Sequence, residues 1–554
     1  MLFLTSLLAA RLIVSNPLPL SAMSDASPTS TKAAPVEQPT ATPFPTPKST
    51  STPPPPTPTV QQTGTVLLDQ SNATAYPLPQ ACLLHPLRLA KLGSDLYALD
   101  SGRLKRITLG PRISCQPVVA PADGVEGTVV QELGDFALAG DGSSLLMLDR
   151  AGNVFRYFPD DESWGVERKA NATWVSSRQY LVSVSAYQDE FYLLDTNVGE
   201  IWRHAPGVAE ILPSDIDLRE SADLAVGRGI FVLGQEGSAR ELRLLKLSGY
   251  PLRPDGSFSP PSGLANPSLL FLDPQPGGYL YVIDQNSHRL RVLDPQSGEL
   301  VRDYLLDSQD VEILAAHGTA EKLYLASTGT IYVYPQEPTG PGDWTSSLPP
   351  TSEGKALSPP DPRVLAALPN LELPLEGTAI TDLSFRLPGA PRSYRYGVHE
   401  GIDFYWAASQ AVTNTTAVLS VAPGEVIRAD QEYNPPTLQE MEAMLASAAE
   451  LSHTTEEVLD VLRGRQVWID HGGGVASRYC HLSAVAADLK LGDLVLEGQV
   501  IGYAGNSGTP SSYYDEYSEI HLHLEIRIGE GYLGQYLRPM EVKRWLRQAF
   551  SEGA

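Results

Sequence analysis

Imidazoles and a carboxylate gather in the last third of the chain. Gly397-Val398-His399-Glu400-Gly401-Ile402-Asp403-Phe404 sets a histidine and an aspartate four residues apart. Far downstream, Ile520-His521-Leu522-His523-Leu524-Glu525 sets two histidines two apart, and Tyr479-Cys480-His481-Leu482 lies between. The chain has only 10 histidines in 554 residues, yet His399, His471, His481, His521 and His523 all fall in this region. Imidazole nitrogen and carboxylate oxygen are the donors of a catalytic zinc, which takes three from the protein and keeps one position for water. Such an ion acidifies the water and polarises a scissile carbonyl.

The elements that carry these residues follow from local chemistry. Gly401 lets the backbone bend between His399 and Asp403, so both can serve one site. Residues i and i+2 of a strand share a face, so His521 and His523 look the same way while Leu522 enters the core. One of the pair can bind metal and the other can face substrate. Ile520, Leu522 and Leu524 favour a strand over a helix. The same alternation turns Cys480 away from the site if His481 faces it. Glu525 and Asp470 are candidates to accept ring N–H groups. His471 opens a glycine-rich turn and reads as structural. No His-Glu-x-x-His pattern occurs, so the helical zinc-protease arrangement does not apply.

His399-x-Gly401-x-Asp403-Phe404, His471-Gly472-Gly473-Gly474, Tyr479-Cys480-His481-Leu482-Ser483, Gly505-Asn506-Ser507-Gly508 and His521-Leu522-His523-Leu524-Glu525 occur in one order. Together they resemble the M23 family of LytM/lysostaphin-type zinc metallopeptidases. The resemblance implies that His399, Asp403 and His523 hold Zn2+. It implies that His481 and His521 act beside the metal, orienting water and stabilising the oxyanion. Asn506 stands where Thr or Ala is usual, and Leu524 where Phe is common; neither is a ligand. The implied activity is endopeptidase cleavage of peptidoglycan cross-links or stem peptides. The alternative is a non-catalytic zinc-binding scaffold that activates another cell-wall hydrolase. A scaffold has no need of His481 and His521.

A chain of this length suggests two or three domains. Its net charge of −25 argues against nucleic acid as a partner, because phosphate binding needs basic patches. Residues 1–23 are apolar but interrupted by Arg11, and end in small residues at Ser21-Ala22. They resemble an export signal or an N-terminal anchor, the only expected contact with a membrane. Residues 24–63 are rich in Pro, Thr and Ser and form no core, so they read as a disordered spacer. An extracytoplasmic protein, secreted or associated with the cell envelope, is the expectation. Cys82 and Cys115 could then be bridged, leaving Cys480 unpaired.

From 64 to 335 a unit recurs: Leu96-Tyr97-Ala98-Leu99-Asp100, Leu146-Met147-Leu148-Asp149, Phe191-Tyr192-Leu193-Leu194-Asp195 and Leu280-Tyr281-Val282-Ile283-Asp284. Gly-bearing turns and second strands follow, at the spacing of propeller blades. The expectation is a mainly β chain. A propeller of about six blades, resembling the NHL and YVTN types, precedes an antiparallel-β peptidase domain. The Asp markers read as turn caps at strand ends rather than calcium ligands. The propeller would bind a protein or polysaccharide ligand of the wall. Residues 336–370 read as a linker and 371–550 as the peptidase domain, with a two-helix insertion at 435–463. Thr437-Leu438-Gln439-Glu440 is a capping box that opens the first helix. The pair could wall the cleft or dock on the propeller. The M23 family usually has a short connection there.

Overall fold

The computed structural model describes residues 66–551, except 69–72, 80–81, 171–178, 236–241, 262–263, 265–266, 274–277, 285–287, 307–311, 320, 336–358, 362 and 516. The expected export signal and spacer, and most of the expected linker, lie outside the described residues. Among the described residues no helix is long and apolar enough to cross a membrane.

Among the described residues, six sheets of four or five strands build the N-terminal part, antiparallel throughout except where Val66–Leu68 adds parallel to Leu300–Leu306. Their innermost strands are Pro86–Leu92, Leu133–Leu138, Leu181–Tyr187, Asp223–Val226, Pro267–Leu272 and Ala315–Gly318. Each inner strand neighbours the next sheet in sequence, and the last returns to the first, so the sheets close into a six-bladed β-propeller. Thr74–Pro77 pairs antiparallel with Thr330–Pro335, so a strand that precedes the first blade completes the last. Cys82 and Cys115 are joined by a disulfide, with Cα atoms 6.0 Å apart.

The repeated aspartates are buried caps. Asp100 accepts the backbone N–H groups of Leu84 and His85, at 2.8 and 2.6 Å. Asp149 accepts those of Gln131 and Asn153, and Asp195 that of Tyr180. Each ties a strand end to the segment entering its blade. Burial pushes Asp149 and Asp195 up to about 6.

The C-terminal part is built on a sheet ordered Ile402–Phe404, Leu522–Ile528, Val475–Cys480, Val467–Gly472, Gly424–Ala429, Leu494–Val495, with Gly531–Tyr532 also paired to Leu522–Ile528. All its pairings are antiparallel. Alternation divides Leu522–Ile528 as its sequence predicts. Leu522, Leu524, Ile526 and Ile528 join a core with Ile402, Phe404 and Tyr479, and His523, Glu525 and Arg527 take the other face.

Between Gly424–Ala429 and Val467–Gly472 stand the two inserted helices, α1 (Leu438–Leu451) and α2 (Glu456–Leu462). Thr437 and Glu440 form the expected capping box on α1, and Thr455 caps α2. A third helix, α3 (Pro539–Ala549), buries Val542, Trp545 and Leu546 in the peptidase core, while Met540 packs against propeller residues.

Candidate active site

The sheet register brings two of the distant motifs together. Asp403 is the cross-strand partner of His523, and Cys480 is its partner on the other side. His399 enters from the preceding bend. Gly401 at that bend is required for space: a Cβ there would collide with the Leu524 carbonyl and the His523 ring. His399 Nε2, Asp403 Oδ1 and His523 Nδ1 then lie 2.9 Å from one another, and all three residues are buried.

The other nitrogen of each imidazole is already committed. His399 Nδ1–H donates to the Leu387 carbonyl at 3.1 Å, and His523 Nε2–H donates to Glu525 at 3.3 Å. These bonds leave His399 Nε2 and His523 Nδ1 as lone pairs facing the Asp403 carboxylate. Three acceptors at such distances repel unless a cation lies among them, so the donor set fits a divalent metal. The hydrogen-bonded outer nitrogens are the usual support for metal-binding imidazoles.

The electrostatics differ among the three residues: burial lowers the His523 imidazole, but Asp403 and Glu525 outweigh it and raise it above its ordinary value, so a metal binding there would displace a proton. Burial holds the His399 imidazole down to about 3, in the neutral form a metal needs. Burial alone would raise the Asp403 carboxyl, but His399, His523 and His521 around it keep it well below its usual range. Arg392 reaches the second oxygen of Asp403 at 3.0 Å and fixes the carboxylate from behind.

His481 and His521 stand beside this group. Their rings are 4.9 Å apart, His481 lies 5.6 Å from His523, and His521 Nε2 lies 3.7 Å from Asp403. Both donate Nδ1–H to carbonyls, of Ser507 at 2.8 Å and of Glu519 at 2.7 Å, so both turn an unprotonated Nε2 inward. Burial, together with the neighbouring imidazoles, holds His481 well below its ordinary value, and burial lowers His521 as well. Tyr405 stacks on His521 at 4.7 Å with the planes 10° apart. Arg386 lies over the Tyr405 ring.

Three expectations need amendment. Strand alternation does not govern His481, because the strand ends at Cys480 and His481 takes a left-handed backbone, φ 60°. Cys480 consequently shares the side of His523 and Glu525 and forms a second compact group with them. Burial holds its thiol far above the ordinary value, in the protonated form. Asp470 does not support a site imidazole: it accepts from the Gly472 N–H in a hairpin turn. Glu525 does, and it is bound in turn by Arg463 and Arg527. His471 bridges the Pro423 carbonyl and the Ser477 hydroxyl, a structural role. Asn506, the departure noted above, braces the loop before the last strand by donating to the Asp515 and Ser518 carbonyls.

Arg392, Tyr405 and Arg463 were not singled out by sequence reasoning. The aromatic run Phe404-Tyr405-Trp406 directly after Asp403 is a signal for the second of them. Nothing in local spacing marks the two arginines.

A six-bladed propeller is joined to a sheet whose end carries a His/Asp/His group that could hold a metal ion, with two further imidazoles beside it. Residues 397–536 match the model of Peptidase family M23, so the C-terminal part of the chain is a peptidase domain of that family, which is typically metal-dependent. No curated protein sequence matches the chain. Among solved structures, a protein of unknown function from Bacteroides thetaiotaomicron VPI-5482 is similar at 12% identity, covering 48% of this chain and 72% of its own, with a TM-score of 0.35. Virginiamycin B lyase from Staphylococcus aureus is similar at 12% identity over 48% of this chain and 88% of its own, with a TM-score of 0.32. A nidogen/laminin complex is similar at 13% identity over 42% and 86%, also at 0.32.

Proposed function

We propose that this protein is a secreted, zinc-dependent endopeptidase that hydrolyses peptide bonds in peptidoglycan cross-links or stem peptides. The observation that carries the reading is the convergence of His399 Nε2, Asp403 Oδ1 and His523 Nδ1 at 2.9 Å, beside the free nitrogens of His481 and His521. His399, Asp403 and His523 would hold a zinc ion, which would supply an acidified water and a Lewis acid for the scissile carbonyl. The chain supplies the rest. Neutral Nε2 of His481 or His521 accepts the proton of the attacking water. The imidazolium so formed donates to the developing oxyanion or to the leaving amine. Arg392 and Glu525 hold the ligands in place meanwhile. The disulfide between Cys82 and Cys115 supports an oxidising compartment, hence export. The propeller is then available to hold wall polymer or a protein partner.

The test is release of peptide fragments from purified peptidoglycan by the wild-type protein and by H481A. Release by wild type that is lost on chelation and in H481A is the expected result. Equal release by both proteins would defeat the enzyme. No release by either, with zinc still bound, would favour the scaffold that activates another hydrolase.

A further inference from the structure

The inserted helices end in a buried arginine bonded to the catalytic sheet. Arg463 follows α2 directly, and its side chain is only 2% exposed. Its guanidinium divides among three carboxylates. Nε donates to Glu525 at 2.7 Å, Nη2 to Glu400 at 2.7 Å and Nη1 to Glu456 at 2.8 Å. Glu525 Oε1, the oxygen that Arg463 grips, is the same oxygen that accepts from His523 Nε2. Glu400 adjoins His399. The backbone of Arg463 takes part too: its carbonyl accepts the N–H of His481 at 2.8 Å, at the residue that adopts the left-handed conformation.

The next residue tightens this contact. Gly464 has φ +70° and lies so close to Ser507 that a Cβ would collide with its carbonyl, the group that accepts from His481 Nδ1. The exit from the insertion therefore reaches His523 through Glu525 with its side chain, and touches His481 directly with its backbone. Between its two helices the insertion meets the propeller: Gln131 donates to the Ser452 carbonyl, just past α1, at 2.7 Å.

We propose that Arg463 is a positioning residue for the metal: through Glu525 it fixes the orientation and tautomer of His523, which makes the inserted helix pair part of the metal-binding apparatus. The inference rests on the zinc reading above. It assigns the insertion a role other than shaping the cleft. Support at one remove from a ligand commonly changes metal affinity by about 10–100-fold.

The experiment measures zinc affinity of the full chain by competition with a chromophoric chelator, and the visible absorption of the Co2+-loaded protein, with far-ultraviolet circular dichroism as a check on folding. R463Q is expected to bind zinc at least 10-fold more weakly and to show an altered Co2+ spectrum. R463K should recover part of the affinity, since an ammonium can serve Glu525 but not all three carboxylates at once. E456Q removes only the arm that reaches a carboxylate 63% exposed, and should change affinity less than twofold. A folded R463Q with wild-type affinity and spectrum would overturn the proposal, as would an equal loss in E456Q. If R463Q does not fold, E525Q decides: unaltered zinc affinity and spectrum there overturn the proposal, and a loss supports it. Equal zinc content in wild type and H523A would instead overturn the zinc reading itself, and this inference with it.

Discussion

Four imidazoles meet at one end of the peptidase sheet, and each has one nitrogen bound to a carbonyl or carboxylate of the chain itself. This commitment separates two kinds of residue experimentally. H523A or D403N is expected to abolish stoichiometric zinc binding, measured by metal analysis after dialysis. H481A or H521A should retain the metal and lose about 10²–10⁴-fold in peptide cleavage, the usual contribution of a positioned proton-transfer group. The spacing of His521 and His523 was readable because strand alternation is a local rule. His481 was readable as a site residue but not in its geometry, since its left-handed backbone depends on contacts from Arg463 and Ser507. Arg392 and Arg463 left no local signal. They reach Asp403 and Glu525 across 11 and 62 residues, and only the folded register places them there.

At the scale of elements, the signals that were legible are those short enough to be written in a few residues. Thr437 and Glu440 announced α1, and the Asp markers with their Gly-bearing turns announced the blades. T437A should destabilise α1 by about 1 kcal/mol, seen as faster amide hydrogen exchange in its first turn. Gly464→Ala should act at a distance from that cap. The added methyl forces Ser507 aside, so peptide cleavage is expected to fall while secondary structure is retained by circular dichroism. The destination of the helix pair was not legible, because a capping box fixes where a helix begins and not what it packs against. Its contacts with the propeller at Ser452 and with the loop before the last strand, where Tyr513 donates to the Pro436 carbonyl at 2.8 Å, are both tertiary.

At the scale of the molecule, the propeller and the peptidase domain share a buried polar seam that sequence reasoning could not supply. Arg538, at the start of α3, lies 3.4 Å from both Asp135 and Asp223, which Arg88 also binds at the propeller axis. Lys543 pairs with Glu220, and Arg150 donates to the Leu537 carbonyl at 2.6 Å. R538A leaves two buried carboxylates to share the charge of Arg88, and should cost about 3 kcal/mol in denaturant unfolding, with the two domains beginning to unfold separately. His85 and Glu541 add a pH-sensitive contact at 2.7 Å. Burial lowers His85, but Glu541 outweighs it and raises the imidazole above its ordinary 6.5. Burial raises Glu541, but His85 reverses this and brings the carboxyl down to about 2. The raised histidine contributes stability fully below pH 6.5 and loses it as pH rises through its folded value. The lowered glutamate contributes fully above about pH 4.5 and loses it as pH falls through about 2. The contact is therefore complete between those limits. The melting temperature of wild type relative to H85Q should decline from pH 6 to pH 8.

The seam occupies one end of the propeller's inner strands. The other ends of the same strands line a cavity of about 430 Å³, with Phe136, Tyr187, Phe271 and His317 on its walls. Anything gripped in that hollow sits at a set offset from the four imidazoles, because α3 is rooted in both cores. The enzyme would then cut at a constant remove from its handhold, like a gauge with one fixed jaw, and fragment lengths from a regular polymer should cluster instead of spreading.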